Sequence, residues 1–258
     1  MRLLKVCALF AALSALTACA FSPAPFTPTH VRAETCTPDT EVADSVVVLG
    51  DADDFTATGF FVRPGILVTN AHVADAHFAR YGANKMRIRT AETINVADLT
   101  PQTVIPLYHS VKKDLAIVLV PSMQAHPNLN WDYLMRRGGK SHPGEAAFLY
   151  GNPNGALWQH IPVLLGRVET HRDIRIPGFA PFSQMRLTHK AVDATPLFGA
   201  SGAPIVTCDG AFVGMHAGSG GTVGSAVPAS VIEDALFRAT VQLPAASVPW
   251  PPLQPITE

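Results

Sequence analysis

The chain has 258 residues, of which 48% are hydrophobic and only 15% are charged. That apolar fraction belongs to a globular protein and excludes disorder for the body of the chain, while the charged fraction lies below the usual ~25%. Lys and Arg number 19 against 20 Asp and Glu, with no basic cluster to displace counterions from phosphates, so nucleic acid is excluded as a partner.

At the N-terminus, Arg2 and Lys5 accompany an uncharged apolar run, Val6–Thr17. The run is shorter than the ~20 residues of a membrane-spanning helix and suits the core of a signal peptide over residues 1–18. Leu16-Thr17-Ala18-Cys19 follows and resembles a bacterial lipobox. That resemblance implies a lipid on Cys19, attachment to the membrane through it, and a place in the bacterial cell envelope facing the periplasm or the exterior. Plain secretory cleavage near Ala18 or Ala20 is the alternative. Residues 19–41, with Pro23, Pro25 and Pro28, read as the mature N-terminus and a semi-rigid spacer. A second Pro-rich stretch, 243–258, closes the chain. Cys7 leaves with the signal and Cys19 takes the lipid, so Cys36 and Cys208 remain as the possible intramolecular pair. Export places them in an oxidising compartment, where they either join as a disulfide or stay as buried thiols.

The body, residues 42–242, reads as strands. Apolar or alternating runs occur at Val46–Leu49, Phe60–Val62, Ile66–Thr69, Met86–Arg89, Thr103–Tyr108 and Leu115–Val120. A polar stretch, residues 121–144, separates them from Ala146–Tyr150, Ile161–Val168, Met185–Thr188, Pro204–Val206, Ala211–Met215 and Gly224–Val227. Turn residues such as Arg63-Pro64-Gly65 and Asp209-Gly210 punctuate the runs. Short strands at this spacing predict an all-β protein, a barrel or sandwich, and not alternating β/α units. One short helix is expected over 229–240, where Ser230 and Glu233 form a capping-box pattern.

Three segments carry chemistry. In Thr69-Asn70-Ala71-His72-Val73 an apolar strand delivers His72 to its end. In Lys113-Asp114-Leu115-Ala116-Ile117-Val118 an Asp heads a strongly apolar strand. In Gly199-Ala200-Ser201-Gly202-Ala203-Pro204 a Ser lies between glycines before another strand. Each alone has a bland explanation, as a surface His, a turn Asp and a loop. Together, in the order His, Asp, Ser over two six-strand halves, they match the order of one of the serine-hydrolase classes. His72 and His77 do not make the His-Glu-x-x-His zinc pattern, so neither a metal nor another cofactor is expected.

On these residues the chain resembles the trypsin-like, chymotrypsin-fold serine proteases, in particular the bacterial glutamyl endopeptidases and the high-temperature-requirement periplasmic proteases without a PDZ domain. The matching segments are Thr69–Val73, Asp114–Ala116 and Gly199–Gly202, with Gly151–Gly155 matching a turn of the periplasmic group. Ala200 stands where these families carry Asn or Asp, and Ala203 where they carry a second Gly. The resemblance implies two six-stranded antiparallel β-barrels of the chymotrypsin type, the first over about 42–121 and the second over about 145–228, with a short C-terminal helix. It implies a serine endopeptidase acting on polypeptide substrates through His72, Asp114 and Ser201, with the backbone N–H groups of Gly199 and Ser201 as oxyanion hole. Thr195, His216, Ala217 and Gly218 would line the substrate pocket, where a His at 216 is similar to the glutamyl group's reader of an acidic P1 side chain and implies a preference for Glu or Gln. The competing reading is a catalytically weak or inactive protease-fold lipoprotein that binds partner proteins at the envelope.

Overall fold

The computed structural model describes residues 37–51, 55–96, 99–129, 142–153, 156–174, 182–192, 197–220 and 223–241. All belong to one compact unit, Val31–Glu258. Residues 1–36, which hold the expected signal peptide, Cys19 and Cys36, lie outside the described residues, as do Thr195 and the Pro-rich tail.

A short helix, α1 (Thr40–Ser45), is capped by Asp39, whose carboxylate accepts from the Glu41 N–H at 2.9 Å. It feeds β1 (Val46–Asp51), β2 (Phe55–Arg63) and β3 (Ile66–Thr69), then helix α2 (Ala71–Tyr81). The first half continues through β4 (Lys85–Met86), β5 (Ile88–Arg89), β6 (Gln102–Thr103), β7 (Ile105–Ser110) and β8 (Leu115–Leu119). The second half holds β9 (Ala146–Gly151), β10 (Gln159–Ile174), β11 (Phe182–Ala191), β12 (Pro204–Thr207), β13 (Phe212–Gly220) and β14 (Val223–Pro228), and α3 (Ala229–Val241) ends it.

All pairings are antiparallel. The second half closes as a barrel in the order β10-β11-β14-β13-β12-β9, as expected. The first forms a six-stranded sheet ordered β5-β1-β2-β3-β8-β7, whose end strands are not hydrogen-bonded to one another among the described residues. Strand β5 is only two residues long, and its neighbour β4 pairs instead with β6.

Period-two alternation explains why so many strands read as unbroken apolar runs. Val47, Leu49, Phe61, Leu67 and Val118 face one cluster within the first half, while Leu149, Ile161, Val163 and Ile205 face another within the second. The intervening residues, Val46, Phe60, Ile66, Val68, Ile117, Phe148, Tyr150 and Val206, meet in a third cluster shared by both halves. A strand buried on both faces has no solvent side and needs no polar alternation. Ile232, Ala235 and Leu236 of α3 dock on this shared cluster.

Two local readings differ from the sequence expectation. His72 sits on a helix, not at a strand end, because Asn70 turns the chain and takes the Ala74 N–H on its carbonyl at 3.1 Å. The buried stripe of α2, Ala71, Val73, Ala74 and His77, is small and partly polar, so its helical period is faint in sequence. Helix α3 starts at Ala229, which puts Ser230 inside the first turn and not at the N-cap of a capping box.

Candidate active site

Three loops carry the residues expected to act, and two of those residues, His72 and Asp114, are in direct contact. The first is the β3–α2 corner, which presents His72 with 49% of its side chain exposed. The second is the turn before β8, where Asp114 adopts φ +53. This left-handed backbone conformation is uncommon outside glycine, and Asp and Asn tolerate it best. The turn is fastened by the Asp114 N–H to Val111 O at 3.1 Å and by the Asn70 amide donating to Asp114 O at 3.0 Å. Asp114 Oδ1 then lies 2.9 Å from His72 Nδ1 and also accepts the His72 backbone N–H at 3.2 Å. One carboxylate oxygen thus fixes both the ring and the backbone of His72. The Asp114 side chain is only 16% exposed, so the pair has a screened acid and an accessible imidazole.

The third loop carries Ser201. Gly199 at φ +83 and Gly202 at φ +90 bracket it with backbone conformations that side chains resist. At Gly202 a Cβ would stand 1.9 Å from the Thr58 carbonyl oxygen, so no other residue fits. Thr58 N donates to Ser201 O at 2.7 Å, and the Gly202 N–H and the His216 N–H bond to His216 O and Ala203 O respectively. The loop is therefore sewn to β2 of one half and β13 of the other. The Ser201 hydroxyl donates to Ala217 O at 3.5 Å, the long limit of a hydrogen bond. Among the described residues no backbone carbonyl takes the N–H of Gly199 or of Ser201.

His216 departs from the picture of an open pocket-floor imidazole. It is 1% exposed and its Nδ1 lies 2.9 Å from Nε2 of His189, which is also buried. Desolvation, chiefly, drives the His216 pKa well below the ordinary histidine value, and the nearby His189, His72 and Arg186 charges push the same way. Burial lowers His189 to about 4. The pair is therefore neutral near pH 7. Ala217 is buried beside it and Gly218 is half-buried. Cys208 is disulfide-bonded, to a partner outside the described residues.

Three residues here had no sequence assignment. Thr58 is fully buried; its carbonyl accepts from Thr69 Oγ1 at 2.8 Å, and its own hydroxyl meets Asn152 Nδ2 at 3.2 Å. The visible hint was a Thr before Gly59, just ahead of the apolar run Phe60–Val62. Arg186 and His189 are both buried on β11 but on opposite faces, Arg186 toward Asp114 of the first half and His189 toward His216, where only a basic residue within a buried strand could have marked them.

A profile described as a trypsin-like peptidase domain matches residues 57–215. No curated protein matches the chain. Among solved structures, the active form of the Rv3671c protease from M. tuberculosis superposes with a TM-score of 0.60 at 20% identity, covering 80% of this chain and 85% of that one. The serine endoprotease from Yersinia pestis gives 0.55 at 17% identity, covering 80% and 68%. The MamO protease domain from Magnetospirillum magneticum gives 0.53 at 19% identity, covering 75% and 96%. At such identities the likeness is one of fold.

Because His189 binds its proton less tightly folded than unfolded, its contribution to stability is full above about pH 6.5 and is lost as pH falls toward about 4. His189→Gln is expected to flatten the fall in Tm over that window by about one proton's worth. Melting curves at half-unit pH steps check this; a slope equal to wild type would show that the histidine pair does not control acid stability.

Proposed function

This chain belongs to the trypsin-like peptidase family and is a serine endopeptidase, and on that premise we propose that Ser201 is its nucleophile, His72 its general base and Asp114 the group that orients His72. The observation that carries this reading is the double use of Asp114 Oδ1, at 2.9 Å from His72 Nδ1 and 3.2 Å from His72 N. A carboxylate on Nδ1 fixes the tautomer that leaves Nε2 free to take the Ser201 proton as its oxygen attacks the scissile carbonyl. The resulting oxyanion is received by the N–H groups of Gly199 and Ser201. Each such donor typically contributes ~3 kcal/mol to the transition state. The intermediate collapses as the scissile C–N bond breaks and His72 gives its proton to the departing amine, leaving the acyl-enzyme. Water, deprotonated by His72, then attacks the ester, and His72 passes that proton to Ser201 Oγ as the acyl bond breaks.

Ser201→Ala is expected to abolish both casein cleavage and labelling by a fluorophosphonate probe without changing the melting temperature. Asp114→Asn should lower turnover by about 10⁴ through the wrong tautomer of His72. A competing reading, a protease fold that only captures partner proteins, draws support from the Ser201 hydroxyl facing Ala217 O. A wild-type protein that resists the probe at every pH from 6 to 9 would favour that reading.

For specificity we place P1 Glu or Gln against His216, with Ala217, Gly218 and Thr195 completing the pocket. A buried imidazole meeting a substrate oxygen or amide recovers a hydrogen bond that an apolar P1 residue leaves unmade. Its neutrality removes charge attraction as the basis for choosing Glu. The ratio of Glu to Gln cleavage in a peptide library is therefore expected to stay constant from pH 8 to pH 6, and His216→Ala to erase both preferences. A ratio that climbs toward pH 6 would mean that substrate binding protonates His216.

We further propose that Cys19 carries a lipid anchor at the bacterial cell envelope and that Cys36 is the disulfide partner of Cys208. Cys19→Ser should move the protein from the membrane to the soluble fraction, since acyl chains contribute ~0.8 kcal/mol per buried CH₂. An unreduced digest of the same preparation should contain the Cys36–Cys208 peptide pair, and membrane retention of the Cys19→Ser protein would discard the anchor.

A further inference from the structure

We propose that Arg186 is a positioning residue for this reaction: its buried guanidinium, supplied by the second barrel, holds the Asp114 carboxylate supplied by the first half and so sets the pH at which His72 works as a base. The inference rests on the triad reading and goes beyond it. Asp114 uses its two oxygens differently. Oδ1 serves His72, whereas Oδ2 faces Arg186 Nη2 at 3.8 Å. That separation is an ion pair and not a direct hydrogen bond. The two side chains are only 9% and 16% exposed, so bulk solvent and salt screen the pair weakly.

The surrounding groups leave Arg186 this task. On α2, Asp75 is occupied by His109 Nε2 of β7 at 2.8 Å. Lys113, next to Asp114 in sequence, turns away to Asp234 of α3 at 3.1 Å. From β11 and β13 the histidines 189 and 216 bond to each other. Burial lowers the Arg186 pKa and the Asp114 charge opposes that lowering. Two effects follow. The cation on Oδ2 keeps the carboxylate rotated so that Oδ1 meets Nδ1. It also balances part of the carboxylate charge, which would otherwise stabilise the His72 imidazolium and hold back its proton. A general base is most effective when its protonation equilibrium lies near the working pH.

The test uses the rate of fluorophosphonate labelling of Ser201 from pH 5 to 9, resolved into a maximal rate and a half-saturating concentration, so that no natural substrate need be known. Arg186→Gln is expected to move the acid limb up by about one pH unit. Its maximal rate should fall about tenfold, an order of magnitude consistent with loss of an orienting contact, at unchanged half-saturation. Arg186→Lys, which keeps the charge, should retain the wild-type limb. Asp114→Asn/Arg186→Gln should label no more slowly than Asp114→Asn alone, because Arg186 acts through the Asp114 carboxylate that the single variant has already neutralised. An unmoved acid limb in a folded Arg186→Gln protein, or additive losses in the double variant, would overturn the proposal. Should Arg186→Gln fail to fold, Arg186→Lys decides: a weakened half-saturation with an unchanged maximal rate would assign Arg186 to the pocket instead. Absence of labelling in wild type would reject the triad reading and this inference together, whereas a labelled wild type with an unmoved limb rejects only the role of Arg186.

Discussion

Thr58 ties the molecule together at the point where its two halves must agree. Its carbonyl receives the Thr69 hydroxyl, its N–H reaches Ser201 O at 2.7 Å, and its hydroxyl engages Asn152 of the second half. Those contacts leave no room above the Thr58 carbonyl, which is why Gly202 must lack a side chain. Because β2 also pairs with β1 and β3, any displacement of Thr58 would drag the first sheet with it. The spacing between the His72 corner and the Ser201 loop therefore follows from a buried backbone contact and not from the flexible loops themselves. A site held this way keeps its geometry through packing, the condition under which orientation contributes to rate.

Around that junction the protein buries unusual polar groups. Arg186, His189 and His216 are all at least nine-tenths buried, and each has its pKa lowered mainly by desolvation. The histidines respond by staying neutral and sharing a hydrogen bond. The arginine is paired with the Asp114 carboxylate. A neutral polar pair and a compensated ion pair are the two arrangements a low-dielectric interior tolerates. The ion pair reaches Asp114 directly, whereas the histidine pair lies at His216, which the proposed specificity sets against the P1 side chain.

Side-chain alternation also explains the division of the core. Each central strand contributes one face to its own half and the other to the shared cluster that α3 covers. The halves are thus joined by apolar burial as well as by the Thr58 contacts, and the helix closes a surface that neither half could bury alone.

The sequence by itself determined the strand content, the two-half division at the polar stretch after Val120, and the segments holding His72, Asp114 and Ser201. These are local properties: alternation and apolar runs within a few residues, and short motifs whose glycines answer to backbone conformation at the same spot. It failed at α2, whose buried face is too small and polar to show a period, and at Ser230, which the register of β14 and α3 places inside the helix. That the end strands of the first sheet are not hydrogen-bonded to one another among the described residues was equally invisible, since pairing between distant strands leaves no local trace. Only the tertiary structure decided that His216 is buried against His189, that Arg186 faces Asp114, and that Thr58 governs the Ser201 loop. Each of those contacts joins residues far apart in the chain, 27 apart for the histidine pair. Their meaning arises from desolvation, which depends on what else is packed nearby and cannot be read from any single stretch of sequence.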